Sequence, residues 1–160
     1  MPEVFVAAGS SVSPRRHLTC AVRELAREFP GVRFSAWYRN RAADGAGADF
    51  INLAAGFSTA RPLAEVRSLL RAVEERCGRS PARSAPQPPV LDLDLLLYGD
   101  LVCAQPDLEL PRPELLTRAY VLGPLAELAP TARHPTARLT FAELWQRFDR
   151  SAHPLERVPS

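Results

Sequence analysis

The segment Leu91-Asp92-Leu93-Asp94-Leu95-Leu96-Leu97 constrains the fold more than any other in the chain. It is apolar except for two carboxylates two residues apart. In a strand, positions i and i+2 share a face. Asp92 and Asp94 then point one way, with Leu91, Leu93 and Leu95 in the core behind them. A carboxylate is costly to bury unless it is paired or bound to a metal. Two neighbouring carboxylates also raise each other's pKa unless a cation neutralises them. One or two Mg²⁺ ions resolve the conflict, since Mg²⁺ accepts carboxylates while keeping phosphate and water ligands. The alternative leaves one aspartate solvated at a strand end and the other in a salt bridge.

The rest of the chain supplies a sheet for that strand. Val4 to Ala8 is a short apolar run closed by Gly9-Ser10-Ser11, a first strand. Ser13-Pro14 reads as a helix cap with proline at the first helical position. Leu18, Ala21, Val22, Leu25 and Phe29 follow at helical spacing until Pro30-Gly31. Val32, Phe34, Ala36 and Tyr38 alternate with other residues in a second strand, and Arg39 to Asp49 is a loop. Phe50 to Phe57 is a third strand, with Ile51, Leu53 and Ala55 on one face. A second helix begins between Thr59 and Pro62, carries Val66, Leu69, Leu70 and Val73, and stops at Gly78. A proline-rich loop runs from Arg79 to Pro89, and Leu91 to Leu97 is the fourth strand.

The order β-α-β-β-α-β predicts an α+β domain: a ferredoxin-like antiparallel sheet with both helices on one face. The fourth strand is expected at or near the centre of the sheet, with its carboxylate face open as a cleft. The C-terminal third forms a helical extension. Leu101-Val102 is a candidate short strand, and Pro111-Arg112-Pro113 is extended. Tyr120 to Leu128 is a short helix broken at Gly123-Pro124. Thr140 and Glu143 match a capping box ahead of Leu144 and Phe148. The fold hosts many functions and selects none.

At 160 residues the chain is read as one domain, 1–160, able to bury a core. A formal charge of +2 is too small to argue for nucleic acid. Every basic side chain is arginine, which supplies bidentate donors suited to phosphate or carboxylate. Cys20, Cys77 and Cys103 are odd in number and lack metal-ligand spacing, so free thiols in a reducing cytoplasm are expected. No signal peptide and no membrane-spanning run is seen. A cytoplasmic monomer without nucleic-acid or membrane partners is the expectation.

Arginines flank the carboxylate strand: Arg79 and Arg83 before it, Arg112 and Arg118 after it. If loop and tail fold over the Asp92/Asp94 face, the cleft suits a polyphosphate, with arginines neutralising the charge that spreads during transfer. Taken singly, each arginine also reads as solvated surface. Glu74 and Glu75 read as surface residues. Phe50, Trp37 and Tyr120 either stack on a flat heterocycle or fill the core. His17, His134 and His153 are isolated. No P-loop, dinucleotide fingerprint or nucleophile elbow is present.

These residues reach a family resemblance. VFVAAGSS at 4–11, WYRN at 37–40, FIN at 50–52, ERCGR at 75–79, LDLDLLLYGD at 91–100 and LPRPELLTRAYVLGPLAELAP at 110–130 are similar, in order and spacing, to 6-hydroxymethyl-7,8-dihydropterin pyrophosphokinases. The resemblance implies transfer of pyrophosphate from ATP to the hydroxymethyl group of a reduced pterin, in folate synthesis. It implies two Mg²⁺ on Asp92 and Asp94. It places the pterin against Tyr120, with Asn52 on its edge and Phe50 alongside. It maps nucleotide and phosphate contacts to Glu74, Arg79 and Arg118, and Arg112 stands where the family carries a histidine. Asp92, Asp94, Arg79 and Arg118 are thereby the implied catalytic set, and Arg112 joins the implied nucleotide contacts.

The chain departs from the family around the loop. Pro86 replaces the aromatic that closes over the pterin, Pro89 replaces an arginine, and a second arginine falls on Pro81 with Arg83 close by. Ser11 replaces an early asparagine. Losing one transition-state arginine costs orders of magnitude in rate, and proline stiffens a loop. Three readings follow. The first is the pyrophosphokinase. The second is an impaired paralogue that binds pterin or nucleotide in a regulatory role. The third is an RNA-binding module, which needs exposed aromatics where this chain has aspartates.

Overall fold

The computed structural model describes residues 1–41, 48–78 and 90–160. Its organising element is β1 (Glu3–Ser10), which pairs antiparallel with two later strands. Alternation along β1 sends Val4, Val6 and Ala8 to one face and Phe5 and Ala7 to the other. α1 (Pro14–Glu28) follows, with Pro14 at its first turn as the sequence predicts. Ser13 does not cap through its side chain. It sits instead in the left-handed region at φ 41°.

The second strand of the sequence reading is two pieces, β2 (Arg33–Phe34) and β3 (Trp37–Asn40). The break has a local cause. Ser35 Oγ accepts the Ala54 N–H at 2.9 Å, and the Glu127 carboxylate accepts the Ala36 N–H at 2.6 Å. Side chains thus take bonds that an unbroken ladder would make.

β4 (Phe50–Ser58) and α2 (Leu63–Arg76) match their predicted spans closely. β5 (Asp92–Tyr98) is the carboxylate strand. The order across the sheet is β5-β1-β4-β3-β8, where β8 is Glu156–Val158, and β2 also pairs with β4. β5 is therefore an edge strand, not a central one. Its outer edge is closed by other groups. Glu74 Oε2 accepts the Leu93 N–H at 2.8 Å, Arg112 Nε donates to Leu95 O at 3.3 Å, and Arg112 N donates to Leu96 O at 3.0 Å. With those groups occupied, the strand needs no second neighbour.

Two cores result. One lies between the sheet and the first two helices: Leu18, Ala21 and Leu25 of α1 and Val66, Leu70 and Val73 of α2 cover Val6, Leu53, Ala55, Leu93 and Leu95. Trp37 belongs to this core. The other face is not left open along its whole length. After the hairpin of β6 (Cys103–Gln105) and β7 (Leu108–Leu110) and a 3₁₀ turn at Pro113–Leu116, α3 (Ala119–Leu128) and α4 (Phe141–Arg147) pack on it. Phe5, Ala54, Leu96 and Leu97 meet Val121, Leu122, Leu125 and Phe141 there. α3 is apolar nearly all round, and such a helix buries every face. That burial outweighs the bond Pro124 cannot make, so α3 is continuous across Gly123-Pro124. Leu101 and Val102 are exposed, and the short strand begins one residue later.

A register shift between β1 and β5 sets which leucines serve which core. Val6 faces Leu95 but Phe5 faces Leu97, so Leu96 is an extra residue. The bulge puts both Leu96 and Leu97 in the second core. The capping box at α4 forms as read: Thr140 Oγ1 accepts the Glu143 N–H, and Glu143 Oε1 accepts the Thr140 N–H, each at 3.1 Å.

One sequence expectation is overturned outright. Cys20 on α1 and Cys77, just after α2, form a disulfide with Cα atoms 5.7 Å apart. Helix packing brings together two cysteines separated by 57 positions, which no spacing rule detects. Cys103 is free. Among the described residues no helix is long and apolar enough to cross a membrane.

Candidate active site

The site is laid out by strand register. Gly9 of β1 faces Asp92 of β5 on one side and Asn52 of β4 on the other, and Asn52 faces Tyr38 of β3. Across the next same-face row, Ala7 faces Asp94 and Ala54. Small residues at 7, 9 and 54 keep the sheet surface low between the carboxylates and the asparagine. A cavity of about 660 Å³ opens over it.

Gly9 is small for a specific reason. A Cβ there would lie 2.6 Å from Asn52 Oδ1, closer than any real contact. The Asn52 amide leans over Gly9, and its Nδ2 donates to Asn40 Oδ1. Asn40 in turn donates to Arg41 O at 3.1 Å. Asn52 is only 7 % exposed, so its amide is held in one orientation, with the oxygen over the glycine.

The Asp92/Asp94 pair is half-buried on the cavity side, as alternation predicts. Arg112 Nη2 donates to Asp94 Oδ1 at 3.2 Å and lies 3.8 Å from Glu114 through Nη1. Arg118, just ahead of α3, lines the cavity, and its guanidinium has no ion-pair partner among the described residues. Tyr120 follows on α3 and Phe50 at the start of β4. Ala152, His153, Pro154 and Leu155 close a further wall. Beside Asn52 on the same sheet face, Tyr38 donates its hydroxyl to Glu127 of α3, and burial with that carboxylate pushes the phenol up to about 12.

The cavity therefore brings together Asp92, Asp94, Asn52, Phe50, Tyr120 and Arg118, with Arg112 touching it through Asp94. Glu74 does not line it. Glu74 is buried rather than at the surface, on the far side of β5, and its carboxylate holds the backbone of that strand. Glu75 is exposed, as read. Arg79, Pro81, Arg83, Pro86 and Pro89 lie outside the described residues.

Sequence reasoning missed Gly9, Asn40 and the 152–155 wall. Gly9 was legible only as the end of a strand, because its need arises from a neighbouring strand. Asn40 sits in a WYRN run whose partner is twelve residues away across a loop. His153 carries no local signal.

The chain is similar to known proteins over most of its length. A profile of the family described as 7,8-dihydro-6-hydroxymethylpterin-pyrophosphokinase (HPPK) matches residues 5–130. The 2-amino-4-hydroxy-6-hydroxymethyldihydropteridine pyrophosphokinase of Synechocystis is 34% identical over 151 residues, 92% of this chain and 76% of that protein. The protein of the same name in Pseudomonas aeruginosa is 34% identical over 140 residues, covering 84% and 85%. Among solved structures, Plasmodium falciparum HPPK-DHPS with SDX-DHP aligns at a TM-score of 0.70 and 10% identity. This chain spans 43% of that one and is covered over 92% of its own length. At that identity the likeness speaks to the fold alone.

Proposed function

We infer the function from one premise: the chain belongs to the 7,8-dihydro-6-hydroxymethylpterin-pyrophosphokinase family. It is an ATP-dependent diphosphotransferase. It moves pyrophosphate from ATP to the hydroxymethyl group of the reduced pterin and releases AMP, in folate biosynthesis. The impaired-paralogue reading finds no support in the comparisons. The observation that carries the function is the row Asp92–Gly9–Asn52. It sets an acidic pair and a fixed amide on one sheet face with a glycine between them, one end suited to phosphate and the other to a flat heterocycle.

The donor set fits Mg²⁺. Two carboxylates share one open face, and among the described residues no cluster of three or more acidic, histidine or cysteine donors exists. That suits an ion which takes one or two carboxylates and completes its shell with phosphate and water. Asp92 and Asp94 would hold two such ions. Bound Mg²⁺ supplies charge neutralisation on the phosphates and acidifies the substrate hydroxyl.

The residues of the chain do the rest. Arg112 fixes the Asp94 carboxylate. Arg118, which has no ion-pair partner among the described residues, offers its guanidinium to the charge that develops on the transferring group. Asn52 reads the pterin edge, with Tyr120 and Phe50 against its ring faces. This holds the hydroxymethyl oxygen in line with the β-phosphorus. The new O–P bond forms as the bond from that phosphorus to the α,β-bridging oxygen breaks, with loss of the hydroxyl proton, and AMP departs. Positioning and electrostatics supply most of the acceleration. Arg79 adds charge from the segment before β5. Glu74 serves the nucleotide side by fixing the β5 backbone.

The strand order β5-β1-β4-β3 supports a ferredoxin-like unit with a C-terminal helical extension. We infer that it works as a monomer. Mixing the protein with ATP, Mg²⁺ and 6-hydroxymethyl-7,8-dihydropterin tests the function. Pterin-dependent AMP, lost on chelation, is the expected result. AMP formation that does not depend on the pterin contradicts it.

A further inference from the structure

The cavity wall formed by Ala152 to Leu155 lies beyond the family match, which ends at residue 130. It is nonetheless fastened on both sides. The His153 ring lies 5.5 Å from the Phe148 ring, which stacks on Trp145 at 5.8 Å. The His153 N–H donates to Arg150 O at 3.2 Å. Leu155 is seated on α3: a Cβ on Gly123 would meet its Cδ1 at 2.8 Å. Beyond it, Glu156 faces Arg39 in the β3–β8 ladder, with an ion pair of 3.5 Å.

That ladder locates the wall. β8 and β5 stand at opposite ends of the strand order. The segment leading into β8 therefore runs beside the Asn40 end of β3, away from Asp92 and Asp94. His153 lines the cavity three residues ahead of Glu156, which pairs with Arg39 beside Asn40, the strand partner of Phe50, and this register points it to the end suited to the heterocycle. A ring held against Phe148 can meet the edge of another flat ring, since aromatic pairs favour edge-to-face contact as well as offset stacking.

We propose that His153 is a substrate-binding residue that packs against the edge of the pterin ring, between the faces that Tyr120 and Phe50 cover, so that the 152–155 segment sets specificity at that end of the cavity. The proposal rests on the pterin reading above. It is tested by calorimetric binding of 6-hydroxymethyl-7,8-dihydropterin to the full chain, with Mg²⁺ and a non-hydrolysable ATP analogue present. His153→Ala should weaken pterin binding by about three- to tenfold and leave analogue binding within about twofold of wild type. His153→Phe should restore most of the loss. His153 is exposed, so neither change threatens folding, and melting curves check this. Unchanged pterin binding in His153→Ala overturns the proposal while leaving the pterin reading intact. So does an equal loss of nucleotide binding, or failure of His153→Phe to recover affinity. A wild-type protein that binds the nucleotide analogue but no pterin overturns both.

Discussion

Arg112 joins Asp94 through its guanidinium, Nη2 to Oδ1 at 3.2 Å, while its Nε donates to the Leu95 carbonyl next along the strand. One side chain thus ties a carboxylate of the acidic pair to the backbone that carries it. The pair is partly exposed, so its net worth to folding is only about 0–1 kcal/mol. Its value lies in orientation. Arg112→Ala should lower kcat/KM by about 10- to 100-fold, as loss of a group that orients a metal-binding carboxylate does. The melting temperature should move little. Steady-state AMP release checks the first statement and calorimetry the second.

Gly9 sits beneath the Asn52 amide, and the two cannot both stay in place once a methyl is added. Gly9→Ala should push Asn52 off its orientation and raise the pterin KM by about tenfold or more, with the ATP KM within about twofold. A parallel rise in both constants would show that the substitution acts on the whole sheet rather than on the amide.

The carboxylate strand was legible because its pattern is unusual: polar at 92 and 94, apolar at 91, 93 and 95. The helices and the Thr140 capping box were legible for the same reason, since they are encoded within a few residues. What escaped detection depends on partners distant in sequence. β5 became an edge strand because Glu74 and Arg112 occupy its outer bonds, and neither adjoins it in sequence. The Cys20–Cys77 bridge follows from how α1 packs on α2. Asn40 and His153 enter the site only through strand pairing.

His134 offers a pH test of the fold. It is buried, and burial lowers its pKa below the ordinary histidine value of 6.5. Its Nδ1 accepts N–H groups from Thr136 at 3.2 Å and Ala137 at 3.0 Å, which requires that nitrogen to be unprotonated. Below about pH 6.5 the unfolded chain takes up a proton that the folded chain refuses. Stability should therefore fall as pH drops through that range towards the depressed folded value. Urea midpoints at pH 7.5 and 5.5 measure it. His134→Asn keeps an acceptor without a titrating ring and should flatten the difference.

The disulfide closes a separation of 57 positions. Constraining an unfolded loop of that size is worth about 2–4 kcal/mol. The double variant Cys20→Ser, Cys77→Ser should lose that amount in urea denaturation, and reductant should bring wild type to a similar midpoint. A wild-type midpoint indifferent to reductant would contradict the prediction.

In the proposed reaction the neighbouring aspartates Asp92 and Asp94 are central to the phosphate chemistry. AMP release should be followed at saturating ATP, Mg²⁺ and reduced pterin for wild type and for Asp94→Ala. The variant should lose turnover by about a thousandfold or more while melting as wild type does, because the lost charge serves the transferring phosphates and not the core. Turnover that survives in a folded Asp94→Ala protein would remove the acidic pair from the mechanism.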